Sequence, residues 1–408
     1  MKRSMFTMFL LALCATSAAA QDDTAHWSAG DVAALLRWIE AAPQDALPGL
    51  APISLQQALD EGDQQRIDDE AGMLAVRLAR MHLLGTATAG ERKDWHILDS
   101  DSDIALEPMI EQAVANNTLD TFFALMRPRH EEYSALRAAY AKETDAAMRK
   151  TIARNMERWR WMPQSLGQDY VLVNAARFEA YLWKGGRKVG SWPVIVGKPN
   201  TPTPAFSATI DGVIFNPWWE IPSSIIRESV GALVRRNPAL ARQRGYVWGG
   251  GHYRQRPGPN NALGLMKLMM PNPFAVYMHD TPSKNLFDEE VRSFSHGCIR
   301  TGDAIGYAAM LLEGVRNRTE IDAILASGKT TTVKLARPIP VYIAYFTAAS
   351  DGSGGIAIAP DIYRRDDRIR AFAAESLREG SRTPLQARSA DARDKLGCPL
   401  PADLGGRG

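Results

Sequence analysis

The chain is poor in the residues that staple small folds or build metal sites. Its 408 residues include three cysteines and seven histidines. No Cys-x-x-Cys pair or His-Glu-x-x-His run occurs. That excludes a disulfide-dense scaffold and the common zinc signatures. Neither sign of charge dominates, with 48 basic and 46 acidic residues. A nucleic-acid partner would call for a basic excess, so none is expected. Past the first twenty residues no stretch is long and apolar enough to span a bilayer. The run Gly249-Gly250-Gly251 lacks the Lys-Ser/Thr of a phosphate loop.

Residues 1–20 read as an export signal. Lys2 and Arg3 supply the charged start, Met5 to Leu13 the apolar core, and Ala18-Ala19-Ala20 the cleavage site. Lipoprotein processing at Cys14 is the less favoured alternative, because Leu13 is bulky for that site. Cleavage removes Lys2, Arg3 and Cys14, leaving 46 basic against 46 acidic residues. About 388 residues remain, enough for two or three domains with their own cores. Cys298 and Cys398 also remain. An even count in an exported chain invites a disulfide. One reactive thiol plus one incidental cysteine is the preferred reading, because Cys298 alone has histidine and glycine neighbours.

The hydrophobic period divides the chain. Residues 26–150 repeat at helical spacing, as in Val32, Leu35, Leu36 and Ile39, and carry no chemistry-bearing cluster. His82, His96 and His130 are read as structural or surface residues. From Asp169 the period becomes two, predicting strands over 170–176, 178–183, 189–196 and 209–215, with a hairpin turn at Lys184–Arg187. Helical spacing returns over 218–246, with Ser223 or Ser224 as the N-cap, and suggests a lid over a site. Residues 248–252 read as a flexible loop. Strands are expected again at 263–270, 275–279 and 341–346, and a helix after Asp303. The fold class expected is α+β: a helical scaffold (21–153), a mainly β domain (154–348) with a helical capping insertion, and a C-terminal extension (349–408).

The chemistry concentrates at Ser295-His296-Gly297-Cys298-Ile299-Arg300. A thiol attacks carbonyls as its thiolate, so it needs a base or cationic neighbour. His279 lies nineteen residues upstream and is the candidate base, with Cys298 the nucleophile. Gly297 permits close backbone approach, and the Gly297 and Cys298 amides would form an oxyanion hole. A helix opening after Cys298 would help lower its pKa. His296 would orient the loop or substrate, with Ser295 in support. Arg300 would bind a substrate carboxylate or brace the loop.

The hexapeptide, with a histidine nineteen residues before its cysteine, resembles the L,D-transpeptidase (YkuD) family. Arg256 to Gly264, Met270-Pro271-Asn272 and His279 to Lys284 resemble its large, YcbB-like branch. The resemblance covers residues 155–345 well and the N-terminal part more loosely. It implies a YkuD-type catalytic domain with a mobile cap and no cofactor. It also implies peptidoglycan stem peptides as substrates, with Tyr277, Asn272 and Trp248 among the substrate-binding residues. In the family the cysteine attacks a tetrapeptide donor at meso-diaminopimelate and expels D-Ala. An amine then resolves the acyl-enzyme. Carbapenems are implied as covalent inhibitors, and the periplasm as the location. The branch's usual peptidoglycan-binding module has no room here, since Tyr133–Arg137 is followed within about twenty residues by Arg154–Trp159. The acceptor stays open between a second diaminopimelate (3→3), an L-Ala amine (1→3), a lipoprotein lysine and water. A stiff groove of Pro199, Pro202, Pro204, Pro257, Pro259, Pro271 and Pro273 tilts the expectation to 1→3. Two other readings are weaker: a zinc site from His279, His296, Cys298 and His252, and a catalytically silent wall-binding protein.

Overall fold

A computed structural model describes residues 26–99 and 101–370. The expected signal segment, Cys14 and Cys398 lie outside the described residues. Helices α1 (Ala29–Ala41), α2 (Ile53–Glu61) and α3 (Gln64–Leu84) form the start of the scaffold, followed by the short strand β1 (Trp95–His96). Helices α4 (Leu106–Ala115), α5 (Leu119–Met126), α6 (Glu131–Tyr140) and α7 (Ala146–Trp159) complete it. Ser28 and Asp31 close a reciprocal capping box that starts α1. Leu35, Leu55, Leu78 and Phe123 fill the scaffold core.

His82 lies in that core, fully buried, with neither ring nitrogen hydrogen-bonded. Its ring meets the Trp38 edge at 5.8 Å. Burial pushes its pKa down to about 3, against the pull of Asp45. The folded protein therefore holds His82 neutral while the unfolded chain protonates it below about 6.5. Its contribution to stability is intact above that pH. It falls by about 1.4 kcal/mol per pH unit as the pH drops toward the folded value. A His82→Leu protein is expected to lose less melting temperature between pH 6.5 and 4.5 than the wild type. Parallel calorimetric slopes for the two proteins would refute this.

The scaffold is fused to the β domain rather than tethered to it. Tyr133, Met156 and Trp159 share one apolar cluster with Tyr170, Trp183 and Phe346. Arg158 of α7 pairs with Asp366 at 2.5 Å, both buried. Asn155 exchanges hydrogen bonds with Thr347 at 2.8 and 2.9 Å. The expected boundary at 153/154 falls inside α7, whose apolar buried residues pack in the one cluster that scaffold and β domain share.

The β domain runs β2 (Tyr170–Asn174), β3 (Glu179–Lys184), β4 (Arg187–Gly197) and β5 (Ala205–Phe215). The β3–β4 turn is Gly185-Gly186, both at positive φ as a tight hairpin requires. The next strands are β6 (Trp219–Glu220), β7 (Tyr246–Gly249), β8 (His252–Gln255), β9 (Met266–Met269) and β10 (Met278–His279). Then come β11 (Ser293–Ser295), β12 (Ile299–Thr301), β13 (Thr331–Ala344), β14 (Ala348–Ser350) and β15 (Ile356–Ile358). Helices α8 (Ser223–Ile225), α9 (Gly231–Arg236) and α10 (Pro238–Gln243) lie between β6 and β7. Helices α11 (Ala304–Leu311) and α12 (Arg318–Ala326) lie between β12 and β13.

The main sheet closes on itself. Its order is β5-β13-β2-β3-β4-β12-β10-β9, and β9 pairs back onto β5. Closure leaves few open edges and encloses Val173, Val194, Val213, Met278 and Ile299. β1 of the scaffold pairs with β5 as an extra strand.

The capping insertion is mixed rather than purely helical. Strands β6, β8 and β7 form a three-stranded sheet beneath α8 to α10, so the cap extends to Gln255. The expected flexible loop at 248–252 is the β7–β8 hairpin, with Gly250 and Gly251 at positive φ. The first cap helix starts at Pro222 with no side-chain cap, so neither Ser223 nor Ser224 caps it. A five-residue π-helical segment, Ile226–Val230, follows α8. Such segments are rare and cluster at functional sites.

Candidate active site

Two very short strands set the geometry. β10 and β12 pair in parallel, with Met278 opposite Ile299 and His279 opposite Arg300. The Ile299 amide donates to the Tyr277 carbonyl at 2.9 Å. Side chains alternate along a strand, so Tyr277, His279, Cys298 and Arg300 share one face. Met278 and Ile299 take the other face and are fully buried in the core. The four residues of the first face all line one cavity of about 180 Å³. A nineteen-residue separation thus becomes a strand-to-strand contact.

His279 is 5 % exposed. Its Nδ1 bonds the Asp280 backbone carbonyl. A carbonyl only accepts, so Nδ1 carries the proton and Nε2 keeps its lone pair. Burial, followed by the Arg300 cation, pushes the imidazole pKa down to about 3. The ring is therefore neutral across the physiological range. The Asp280 carboxylate is engaged elsewhere, by the Leu265 amide at 2.8 Å and by Lys284. A side chain at Gly264 would collide with that carboxylate, and Gly264 adopts φ 61°.

The loop carrying Cys298 is braced from within. Ser295 Oγ donates to the Cys298 carbonyl at 2.5 Å and accepts from the Gly297 amide at 3.1 Å. Gly297 adopts φ 112°, which disfavours any residue with a Cβ. Its carbonyl accepts from Thr203 Oγ1 at 2.8 Å. Tyr363 Oη in turn accepts from the Thr203 amide and donates to the Gly197 carbonyl, at 3.2 and 2.7 Å. Nothing in residue order pointed to Thr203 or Tyr363 as supports of this loop; they lie 95 residues before and 65 after Cys298. Because Ser295 holds the Gly297 amide, that amide is not aimed at a substrate carbonyl as expected.

The helix expected to lower the Cys298 pKa is displaced. β12 intervenes, and α11 starts only at Ala304, capped by Asp303 through the Gly306 amide. A helix field fades within its first turn, so Cys298 lies beyond it. Arg300 is the nearer cation. Burial lowers its pKa, and the neighbouring Cys298 opposes that.

Other expected residues fall in different places. Asn272 binds the Met270 and Val276 carbonyls at 2.7 and 2.6 Å, folding its own loop instead of facing the cavity. Trp248 is 64 % exposed on the cap hairpin and does not line the cavity. His252, on the same hairpin, bonds Glu220 of the neighbouring strand β6. Among the described residues, no three His, Cys, Asp or Glu side chains are grouped to hold a metal. None of the seven prolines of the expected groove lines the cavity. The cap supplies its roof through Trp219, Pro222 and Ile225, and Phe274 its side. The cap is also tied to the catalytic loop: His296 Nε2 lies 2.8 Å from Glu228 Oε2, in the π-helical segment. A larger cleft of about 700 Å³ beside α11 and α12 holds neither cysteine nor histidine.

Residues 168–333 match the family model described as the L,D-transpeptidase catalytic domain, YkuD. A Haemophilus influenzae protein named "Putative L,D-transpeptidase" is 27 % identical over 282 residues, 63 % of this chain and 57 % of that protein. The chain thus aligns with little more than half the length of this relative. Solved structures with a slight likeness include the L,D-transpeptidase from Mycobacterium smegmatis, with TM-score 0.25, 15 % identity, and 43 % and 58 % of the two chains covered. L,D-transpeptidase 3 from Mycobacterium tuberculosis has TM-score 0.24 and 16 % identity over 43 % and 61 %. The paired strands that carry His279 and Cys298, and most of the closed sheet apart from the greater part of β13, fall within the matched residues. Residues 168–333 of this chain thus match the YkuD-type L,D-transpeptidase catalytic domain.

Proposed function

We propose that this protein is an L,D-transpeptidase acting through a Cys298 acyl-enzyme on peptidoglycan stem peptides. The observation that carries it is the β10–β12 pairing, which aims His279 and Cys298 into one cavity. His279 Nε2 takes the thiol proton, and Sγ adds to the carbonyl of diaminopimelate in a tetrapeptide donor. The tetrahedral intermediate collapses to a thioester. The C–N bond to the terminal D-Ala breaks, and the proton on Nε2 goes to the departing amine. An amine of a second stem then attacks the thioester, gives its proton to Nε2, and the thiol is restored.

Arg300 would hold a substrate carboxylate. Among the described residues no carboxylate lines the cavity to satisfy it, and a fixed guanidinium fork suits that group. The expected preference for 1→3 over 3→3 bonds rested on a proline groove. The cavity walls are instead cap aromatics and aliphatics, so both amines remain acceptors in this proposal. At about 180 Å³ the cavity is small against the usual range of about 300–1,000 Å³ for ligand sites. Admission of two stems would therefore require the cap to lift. An export signal over residues 1–20 and a peptidoglycan substrate would together suit a periplasmic reaction.

The test is incubation of the purified mature protein with disaccharide-tetrapeptide, followed by tandem mass spectrometry. D-Ala release and crosslinked dimers are expected, and their fragments give the bond type. Neither dimer nor hydrolysed tripeptide would overturn the proposal. A carbapenem is expected to add one covalent mass, at Cys298, because a strained lactam acylates an activated thiolate. An adduct on the Cys298→Ala protein would contradict the assignment.

A further inference from the structure

The reaction proposed above has a second substrate that is cationic. A free amine on a stem peptide is an ammonium at neutral pH and must be attracted, then deprotonated, beside the thioester. Yet among the described residues no aspartate or glutamate lines the cavity, which instead carries Arg300, His279 and His296. Asp280, next to His279, is buried and already held by Lys284 and the Leu265 amide. An ammonium entering this site would meet the Arg300 cation, imidazole rings and apolar walls unless a carboxylate stands at the mouth.

One does. Glu228 projects from the π-helical segment of the cap to His296, which lines the cavity two residues before Cys298. Its side chain is 53 % exposed and that of His296 is 37 % exposed, so solvent and an incoming amine reach the pair. Ile225, in the turn just before, is part of the cavity roof. The extra backbone residue of a π-helical turn re-aims the side chains around it. The pair is therefore an exchangeable contact at the site entrance, not a buried weld like Arg158–Asp366.

We infer that Glu228 is the acceptor-recognition residue, binding the ammonium of the incoming stem in place of His296. Arg300 and Glu228 then divide the work, one taking a substrate carboxylate and the other the acceptor cation. This rests on the transpeptidase reading and concerns its second half-reaction alone. Exchange of one charge-assisted hydrogen bond for another also frees His296, so the cap is released as the acceptor arrives.

The experiment follows the partition of the acyl-enzyme between amine and water. The mature protein receives disaccharide-tetrapeptide donor and isotopically labelled tripeptide acceptor, and labelled dimer and hydrolysed donor are quantified. Hydroxylamine, uncharged at neutral pH, serves as a second nucleophile. For Glu228→Gln the ratio of labelled dimer to hydrolysis is expected to fall about 10- to 100-fold, the loss for a hydrogen bond to a charged group. The fall is expected as a raised KM for the tripeptide, and the hydroxylamine ratio is expected to hold. Glu228→Asp is expected to recover part of the loss. An unchanged dimer-to-hydrolysis ratio in Glu228→Gln overturns the inference and leaves the transpeptidase reading intact. So does a parallel loss with tripeptide and hydroxylamine, or slowed acylation with an unchanged ratio, since those outcomes indicate a purely structural cap tie. Absence of any acyl-enzyme in the wild type overturns both readings together.

Discussion

Replacing Cys298 with alanine is expected to abolish D-Ala release, dimer formation and carbapenem labelling together. No other cysteine lies among the described residues, and no serine, threonine or lysine shares the cavity in a position to substitute except Ser295. Ser295 is held by the Cys298 carbonyl and the Gly297 amide and is 2 % exposed. The acyl-enzyme route then has no nucleophile, and the barrier returns toward that of the uncatalysed reaction. The Cys398→Ala protein is the control and is expected to turn over nearly as the wild type does. Substantial turnover by Cys298→Ala would end the nucleophile assignment. Because the alanine protein could lose activity by misfolding, its thermal transition should be measured beside the wild type's.

His279→Ala is expected to slow acylation by about 10²–10⁴-fold, the range for loss of a positioned general base. His296→Ala is expected to slow acylation less, since its imidazole is bound to Glu228 at the cap and not to the loop that holds Cys298. Single-turnover carbapenem or donor acylation separates the two. Equal rates for wild type and His279→Ala would point to another base. The pH profile gives a second check. Burial and Arg300 keep His279 neutral down to about 3, so its base form is not lost as pH falls from 7 to 5. Acylation is expected to show no acid limb near 6.5 from this group. A limb centred there, absent in a His279→Asn protein with residual activity, would show that the ring titrates as an ordinary exposed histidine.

Much of this protein could be read from residue order because the signals were local. Alternation over 170–215 and helical spacing over 26–150 depend on which face of a segment is apolar, and both gave elements close to those observed. Cys298 and His279 were expected together on chemical grounds, since a thiol nucleophile needs a base, and the structure brings both to one cavity. What failed were inferences about direction. Asn272 and Trp248 have the right chemistry for a substrate site, but one is turned into its own loop and the other outward on a hairpin. The proline groove failed similarly: composition says that a loop is stiff, not which cavity it faces.

Tertiary structure alone decided the rest, because it depends on contacts between distant segments. Residue order alone implies that 277–279 and 298–300 alternate, but only their parallel register puts His279 opposite Arg300 and on the face and cavity it shares with Cys298. A one-residue slip would turn His279 into the core. Closure of the sheet through β5 and β9, the bracing of Gly297 by Thr203 and Tyr363, and the reach of Glu228 from the cap to His296 have no trace in local periodicity. Burial is likewise a property of the assembled fold. The same imidazole ring is neutral far below pH 6.5 at His279 and His82 because the packed chain removes it from water. Residue order supplied the candidate groups; packing fixed their directions, the protonation of His279 and the cavity they share with Arg300.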